Sequence, residues 1–322
     1  MSVIFHRNDI LKDPAHAWQA YKSNPDFFKF PERITVEITN RCNLKCSMCP
    51  RNNVAIEPLD MPIELFEKVI DEAAQFLPIC FVPFFRGESL LHPQFIEMLS
   101  YAKVRGLKPI QLATNAYFLD EQLGSKILDL EIDFLSFSVD VNNPEVYKKI
   151  RKNSDFESVF SNILHFLSEK EKREANLPLV QISAVKTKEN VSFMKDFISF
   201  WKRKADRVRI YYVHSQDGRL GHNQKDDVGK WQRKPCLKLL SDIVIYSNGQ
   251  VALCNHDWQR QEFIGDVTVS SIVNIWNNPV YKSIRQRHLD NNLSGFTPCN
   301  YCSYWQAPYL KEAMIGEVYE KD

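Results

Sequence analysis

Apolar and polar positions along this chain follow two rhythms in turn. Short runs rich in Val, Ile, Leu and Phe recur six times, at Ile34–Ile38, Ile79–Phe85, Pro109–Ala113, Phe134–Val139, Leu179–Ala184 and Val208–Val213, and their length is that of strands. Between them the apolar positions return every three or four residues, which predicts helices near Ile63–Phe76, Pro93–Arg105, Glu121–Leu130, Phe156–Lys172 and Val191–Trp201. The fourth of these is the clearest: Phe156, Val159, Phe160, Ile163, Phe166 and Leu167 fall on one face, with charges on the other. Asn190 is the expected N-cap of the fifth helix and Gly106 the stop of the second. Strands alternating with helices predict an α/β fold with a parallel sheet and crossover helices. Six units are too few to close an eight-stranded barrel, so a partial (β/α)6 TIM-like barrel is expected. In such folds reactive groups gather at the C-terminal ends of the strands.

Beyond Val213 the rhythm breaks. Residues 214–235 are polar, and the apolar runs Ile243–Tyr246 and Val251–Cys254 then flank Asn248 and Gly249, an Asn-Gly pair that predicts a type I′ hairpin. A boundary near 214–220 divides the chain into an N-terminal extension (1–30), a barrel core (31–215), a smaller C-terminal unit (216–310) and a tail (311–322).

Charge narrows the function classes. With 41 basic against 40 acidic residues, no bulk field recruits nucleic acid or an anionic membrane. No apolar run reaches transmembrane length, and the first residues carry charges where a signal peptide needs an apolar stretch, so a cytoplasmic protein is expected. In a reducing compartment eight cysteines point to metal ligands rather than disulfides.

Three of them, Cys42, Cys46 and Cys49, form a C-x3-C-x2-C loop directly after the first predicted strand. From composition alone this spacing is expected only about 0.005 times per chain. Three thiolates offered to a metal centre that takes four leave one position open, and an open position is where a metal centre does chemistry.

The loop resembles the signature of the radical S-adenosylmethionine (radical SAM) superfamily. That resemblance implies a [4Fe-4S] cluster on these three cysteines, whose fourth iron takes the amino and carboxylate groups of SAM. One electron then splits the sulfonium to a 5′-deoxyadenosyl radical, and a reducing partner such as flavodoxin or ferredoxin supplies that electron. Further matches follow in order. Arg86, Gly87 and Glu88 resemble the family's Gly-Gly-Glu stretch at the SAM ammonium, with Arg86 in place of the first Gly. Thr114 and Asn115 resemble a Thr-Asn-Gly turn, with Ala116 in place of Gly. Ser138 and Asp140 resemble the Ser-Leu-Asp stretch near the SAM ribose or carboxylate. Arg151 is placed to neutralise that carboxylate, and Met48 to pack near the adenine.

Cys236, Cys254, Cys299 and Cys302 read C-x17-C-x44-C-x2-C. Four thiolates can close around one zinc or cap every corner of a second [4Fe-4S] cluster. Taken by itself the segment favours zinc; attached to a radical SAM core it resembles the SPASM or shorter twitch extension, a small β-hairpin and helix unit, in its single-cluster form. A fully ligated second cluster cannot readily chelate substrate but can take an electron, which favours dehydrogenation. The ligand spacing also resembles twitch-type dehydrogenases of aminocyclitol and aminoglycoside assembly.

About thirty residues precede the first strand, fewer than a separate leader-peptide domain needs, which favours a small polar substrate: a sugar, an aminocyclitol or a nucleotide-sugar. His214, Asp217, Arg219 and His222 follow the sixth strand. His214 suits a base, and Arg219 recognition of a hydroxyl or phosphate. Cys80, at the start of the second strand, is about 20 Å from the active rim at ~3.3 Å per residue and reads as a buried structural thiol rather than a hydrogen-atom donor. Epimerisation and peptide modification stay open as alternative outcomes, as does, more remotely, a non-catalytic zinc module.

Overall fold

The computed structural model describes residues 9–212, 232–258, 262–296, 298–309 and 316–322. His214, Asp217, Arg219, His222 and the boundary expected near 214–220 lie outside the described residues.

The six predicted strands form in order: β1 (Arg33–Val36), β2 (Cys80–Val82), β3 (Gln111–Thr114), β4 (Phe134–Ser138), β5 (Leu179–Lys186) and β6 (Arg207–Tyr212). Pairs β1–β2, β3–β4, β4–β5 and β5–β6 are parallel, and a parallel bridge between Phe81 and Ile110 joins β2 to β3. The result is the open, curved sheet of a partial barrel. Helices α1 (Pro14–Ser23), α2 (Ile63–Ala73), α3 (Phe95–Val104), α4 (Glu121–Asp129), α5 (Pro144–Ile150), α6 (Phe156–Lys172) and α7 (Met194–Trp201) precede or connect these strands. Local chemistry sets several of their starts: the side chains of Asp120, Asn143 and Asp155 accept the amides of Leu123, Val146 and Ser158. Gly106 follows α3 at φ 86°, the left-handed stop the sequence called for. Asn190 does something else. It makes no cap bond; its side chain donates to the carbonyls of Asp140 and Val185 and accepts the amide of Thr187, tying the ends of β4 and β5 together.

Alternation along the strands explains the interior. Leu135, Phe137, Val180, Ile182, Val208 and Ile210 are buried in the main apolar core shared with the helices. Their neighbours on the opposite face are polar: Gln181 donates to Ser136 at 2.8 Å and accepts from Arg207 at 2.8 Å, so a hydrogen-bonded rung crosses β4, β5 and β6. The barrel therefore has an apolar outer layer and a polar lumen.

From residue 232 onward come α8 (Lys238–Ser241), β7 (Asp242–Ile245), β8 (Gln250–Ala252), β9 (Gly265–Asp266), α9 (Ile272–Trp276), α10 (Pro279–Leu289) and β10 (Gly316–Glu320). β7 continues the barrel sheet, parallel to β1 with Arg33 opposite Asp242, and β8 and β9 extend it antiparallel. The β7–β8 turn is not the expected type I′. Only Gly249 has a positive φ (86°), and Tyr246 and Gln250 close a three-residue loop around it. The stretch read as a tail supplies β10, which pairs antiparallel with β6 along the other sheet edge. The N-terminal extension packs α1 into the core through Ala17 and Trp18.

Candidate active site

Because β1 to β4 run parallel, the segments that leave their C-terminal ends meet on one rim. The cysteine loop follows β1 and is held there by backbone. Ser47 N donates to Ile150 O at 2.8 Å, Lys45 N to Lys152 O at 3.0 Å, and Glu88 N to Arg41 O at 2.7 Å. Asn40 fixes the loop's far side, accepting the amide of Leu59 at 2.8 Å and donating to Glu57 O at 2.9 Å. Asn115, at the end of β3, donates to Asn43 inside the loop at 3.0 Å. Thus the Arg86–Glu88, Asn115 and Arg151 segments, far apart in sequence, all touch the loop that carries Cys42, Cys46 and Cys49.

Gly87 is required by this packing. A Cβ there would stand 2.3 Å from Thr39 O and 2.7 Å from Arg41 O, both backbone atoms. Gly87→Ala is expected to push the cysteine loop off the rim at a cost of about 1–3 kcal/mol. Iron bound after reconstitution should then fall by close to half, while the second cysteine set fills normally; iron analysis per chain checks this.

Glu88 is buried, and both its oxygens are engaged. Oε1 accepts Thr114 Oγ1 at 2.6 Å and Leu90 N at 3.3 Å, and Oε2 accepts Asn115 N at 2.8 Å. Burial raises its pKa despite these hydrogen bonds. A cation brought to this carboxylate would therefore be welcome. Asp140, at φ 73° after β4, accepts Arg151 Nε at 2.6 Å on one oxygen and Val185 N at 2.8 Å on the other. Burial opposes the charge on Arg151, but the Asp140 carboxylate and the neighbouring Cys46 outweigh it and hold the guanidinium firmly protonated. Ser138 is half-buried at the end of β4, opposite Ser183. Met48 packs against a separate apolar patch of Val141, Tyr147, Ile150 and Phe156.

Arg86 has a role that its alignment with a glycine does not suggest. Its guanidinium is buried and grips Glu37 with two bonds, Nε at 2.6 Å and Nη2 at 2.8 Å, and lies 4.0 Å from the centroid of the Tyr246 ring. Ser247 adds its hydroxyl to Glu37 at 3.0 Å. The pair therefore ties the β7–β8 turn to the rim. Sequence reasoning missed Glu37. The available signal was its alternation with Thr35, on the polar face of a run whose other face is Ile34, Val36 and Ile38.

No disulfide joins any of the eight cysteines. Cys80 is buried at the start of β2, where Arg33 Nη1 donates to its sulfur at 3.4 Å, at the rim's opposite end. The other seven fall into two electrostatically coupled sets. Cys46 senses Cys49 and Cys42, and burial raises it to about 11, with Arg151 opposing. In the second set, Cys299 senses Cys254, Cys302 and Cys236, and burial raises all four. Among the described residues no three His, Cys, Asp or Glu side chains already stand at the spacing of a single-ion site. Mutually sensing thiols, half-buried except for the buried Cys299, suit a larger centre that spreads its ligands, and the donor set is the soft one iron–sulfur clusters take.

A pH dependence follows. Thiols raised from 9.0 toward about 11 favour the protonated apo fold below pH 9, and that advantage is lost as pH rises toward 11. The apo chain should lose thermal stability between pH 9 and 11. The loaded chain, whose thiolates are already ionised on metal, should lose much less; parallel melts of the two forms check this.

Residues 36–173 match the family model described as the Radical SAM superfamily, and residues 236–303 match that of SPASM, an iron–sulfur cluster-binding domain. These two regions imply SAM and iron–sulfur clusters as cofactors. A tungsten-containing aldehyde ferredoxin oxidoreductase cofactor-modifying protein of Pyrococcus furiosus is 35% identical over 109 residues, covering 34% of this chain and 30% of that protein. A probable GTP 3′,8-cyclase of Methanocaldococcus jannaschii is 28% identical over 173 residues, covering 52% and 54%. The chain thus spans only about a third to a half of the length of these curated relatives. Among solved structures, BtrN in complex with AdoMet and 2-DOIA superposes with TM-score 0.56 at 17% identity, covering 84% of this chain and 92% of that one. Streptococcus suis SuiB bound to precursor peptide SuiA gives TM-score 0.65 at 15% identity, covering 96% and 82%. At these identities the likeness is one of fold.

Proposed function

The chain is a radical SAM enzyme with a C-terminal SPASM domain, and from that premise we propose that it dehydrogenates a small polar substrate such as a sugar, aminocyclitol or nucleotide-sugar. Cys42, Cys46 and Cys49 would hold a [4Fe-4S] cluster; Cys236, Cys254, Cys299 and Cys302 would hold a second. Bound there, SAM and the first cluster would supply radical hydrogen-atom abstraction, and the second cluster would supply a one-electron oxidant for what remains.

The chain's own residues divide the other tasks. Glu88, with the backbone of Arg86 and Gly87, would receive the SAM ammonium, because its carboxylate is buried and pre-oriented by Thr114 and Asn115. Arg151 meets Asp140 through Nε, and its terminal nitrogens would take the SAM carboxylate. Ser138, Asn115 and Asp140 would line the ribose side, and Met48 the adenine. His214 would serve as base and Arg219 as the group that recognises a hydroxyl or phosphate. Loss of the hydroxyl proton makes an alcohol radical far easier to oxidise, which is why a base is needed. Among the described residues no helix is long and apolar enough to cross a membrane. A cytoplasmic setting with flavodoxin or ferredoxin as electron donor belongs to the same proposal.

The observation that carries this reading is the contrast between the two thiol sets. One offers three thiols on a rim beside Glu88, Asn115 and Arg151, and the other offers four, enough for a complete protein complement. A donor-saturated centre is suited to electron uptake rather than substrate chelation. The fold likeness to SuiB with its precursor peptide, over 96% of this chain, supports a second reading as a peptide-modifying enzyme.

Anaerobic reaction of the reconstituted protein with SAM, dithionite and a panel of sugars and aminocyclitols deuterated at their carbinol carbons separates these. Dehydrogenation predicts deuterium in 5′-deoxyadenosine and a product lighter by one deuterium and one hydrogen. A product that has only exchanged its carbon-bound deuterium for a solvent hydrogen would show epimerisation instead. No deuterium transfer from any panel member, with transfer from a deuterated peptide, would move the assignment to peptide modification.

A further inference from the structure

Around the second thiol set the charged side chains are not equivalent. Lys238 is answered by Asp242 at 3.0 Å, so its charge is largely spent locally. Arg285 donates to the carbonyls of Leu239 and Trp276 inside a cage formed by the rings of Tyr21, Trp276 and Tyr281; its Nη2 too is buried with no hydrogen-bond partner among the described residues, but none of these contacts is to a cysteine. Arg233 differs. Its Nη1 donates to the carbonyl of Cys302 at 3.0 Å, its guanidinium lies 5.2 Å from the Trp305 ring centroid, and its Nε is buried with no hydrogen-bond partner among the described residues. The guanidinium is thus held against the backbone of one of the four cysteines and over an aromatic ring. Thiolates formed there on a metal centre would stand beside this charge.

A positive charge fixed partly out of solvent beside an iron–sulfur centre favours the more negative, reduced state of that centre. We propose that Arg233 is the counter-cation of the centre held by Cys236, Cys254, Cys299 and Cys302, and that it raises the centre's reduction potential so that the centre readily accepts an electron. The inference rests on the reading of these four cysteines as cluster ligands. It gives the electron-uptake role a specific residue. Arg233 acts through the centre and touches no substrate, so it is a positioning residue for charge.

The test uses the full chain with Cys42, Cys46 and Cys49 changed to alanine, so that the second centre gives the only signal. Anaerobic redox titration followed by electron paramagnetic resonance compares Arg233, Arg233→Gln and Arg233→Lys. At the potential where the arginine form is half reduced, Arg233→Gln is expected to show about a tenfold lower ratio of reduced to oxidised centre, equivalent to a midpoint about 59 mV more negative for one electron. Arg233→Lys, which keeps the charge, should stay within about twofold of the arginine form. Arg233→Met, neutral and of similar length, is titrated alongside in case the amide variant does not hold iron. An unmoved midpoint in both neutral variants, or a lysine variant shifted as far as they are, would overturn the inference while leaving the cluster assignment intact. Zinc in place of iron would overturn the cluster assignment, and the inference with it.

Discussion

Replacing Cys46 with alanine is expected to reduce SAM cleavage by about 10³-fold or more, equivalent to ~4 kcal/mol of barrier, while leaving about half of the iron bound. The expectation follows from where Cys46 sits. It is the middle cysteine of the C-x3-C-x2-C loop, it senses both Cys42 and Cys49, and the loop's backbone on either side is bonded to residues 150–152. With two thiolates left the loop cannot retain a cluster, whereas the second set, near α8 and α10, is untouched. Iron per chain should fall from about eight to about four. Cys254→Ala should give the complementary phenotype: similar iron loss, SAM cleavage retained, and oxidised product absent. Measuring 5′-deoxyadenosine and iron in the two variants side by side separates radical initiation from electron uptake. Equal loss of SAM cleavage in both would mean that the two thiol sets do not divide the work in this way.

The second large effect concerns the joint between the barrel and the C-terminal hairpin. Arg86→Met is expected to destabilise the protein by about 3–5 kcal/mol, because it strands the carboxylate of Glu37, which is 0% exposed. Removing one partner of a buried pair costs more than the pair itself contributes, since the remaining charge has neither water nor counter-ion. The stacking of the guanidinium on Tyr246 is lost as well. Combining Arg86→Met with Glu37→Gln should recover a large part of the loss, since the amide needs no counter-charge and can still accept from Ser247. Urea-unfolding midpoints for the two single variants and the double variant test this. A single-variant loss below about 1 kcal/mol would show that the ion pair does not hold the joint.

The legibility of the chain depended on how local each signal was. Six strand–helix units, the cysteine loop and the four-cysteine set could be read from spacing because period and ligand interval are properties of short segments. Strand ends were less legible: β2 spans Cys80–Val82, shorter than its apolar run, because residues after Val82 turn away to form the rim. Asn190 had the composition of a cap but bonds across two strand ends, a choice that depends on what lies 50 residues away in sequence. The pairing of β7 with β1 and of β10 with β6 was not visible, since sheet partners distant in sequence leave no periodic trace. Arg86 shows the same limit within the site. Its position in the motif was legible, but the fate of its side chain depended on Glu37 and Tyr246, which no spacing rule connects to it. Arg233 was missed for a like reason, being an ordinary basic residue until Cys302 and Trp305 fold against it.

The central claim is that one thiol set leaves a position open for SAM and the other leaves none. Electron paramagnetic resonance of the reduced, fully loaded protein, with and without SAM, addresses it most directly. Two cluster signals are expected, of which SAM changes one, and the changed signal should be absent from Cys46→Ala and present in Cys254→Ala. Two signals that both ignore SAM would contradict the account.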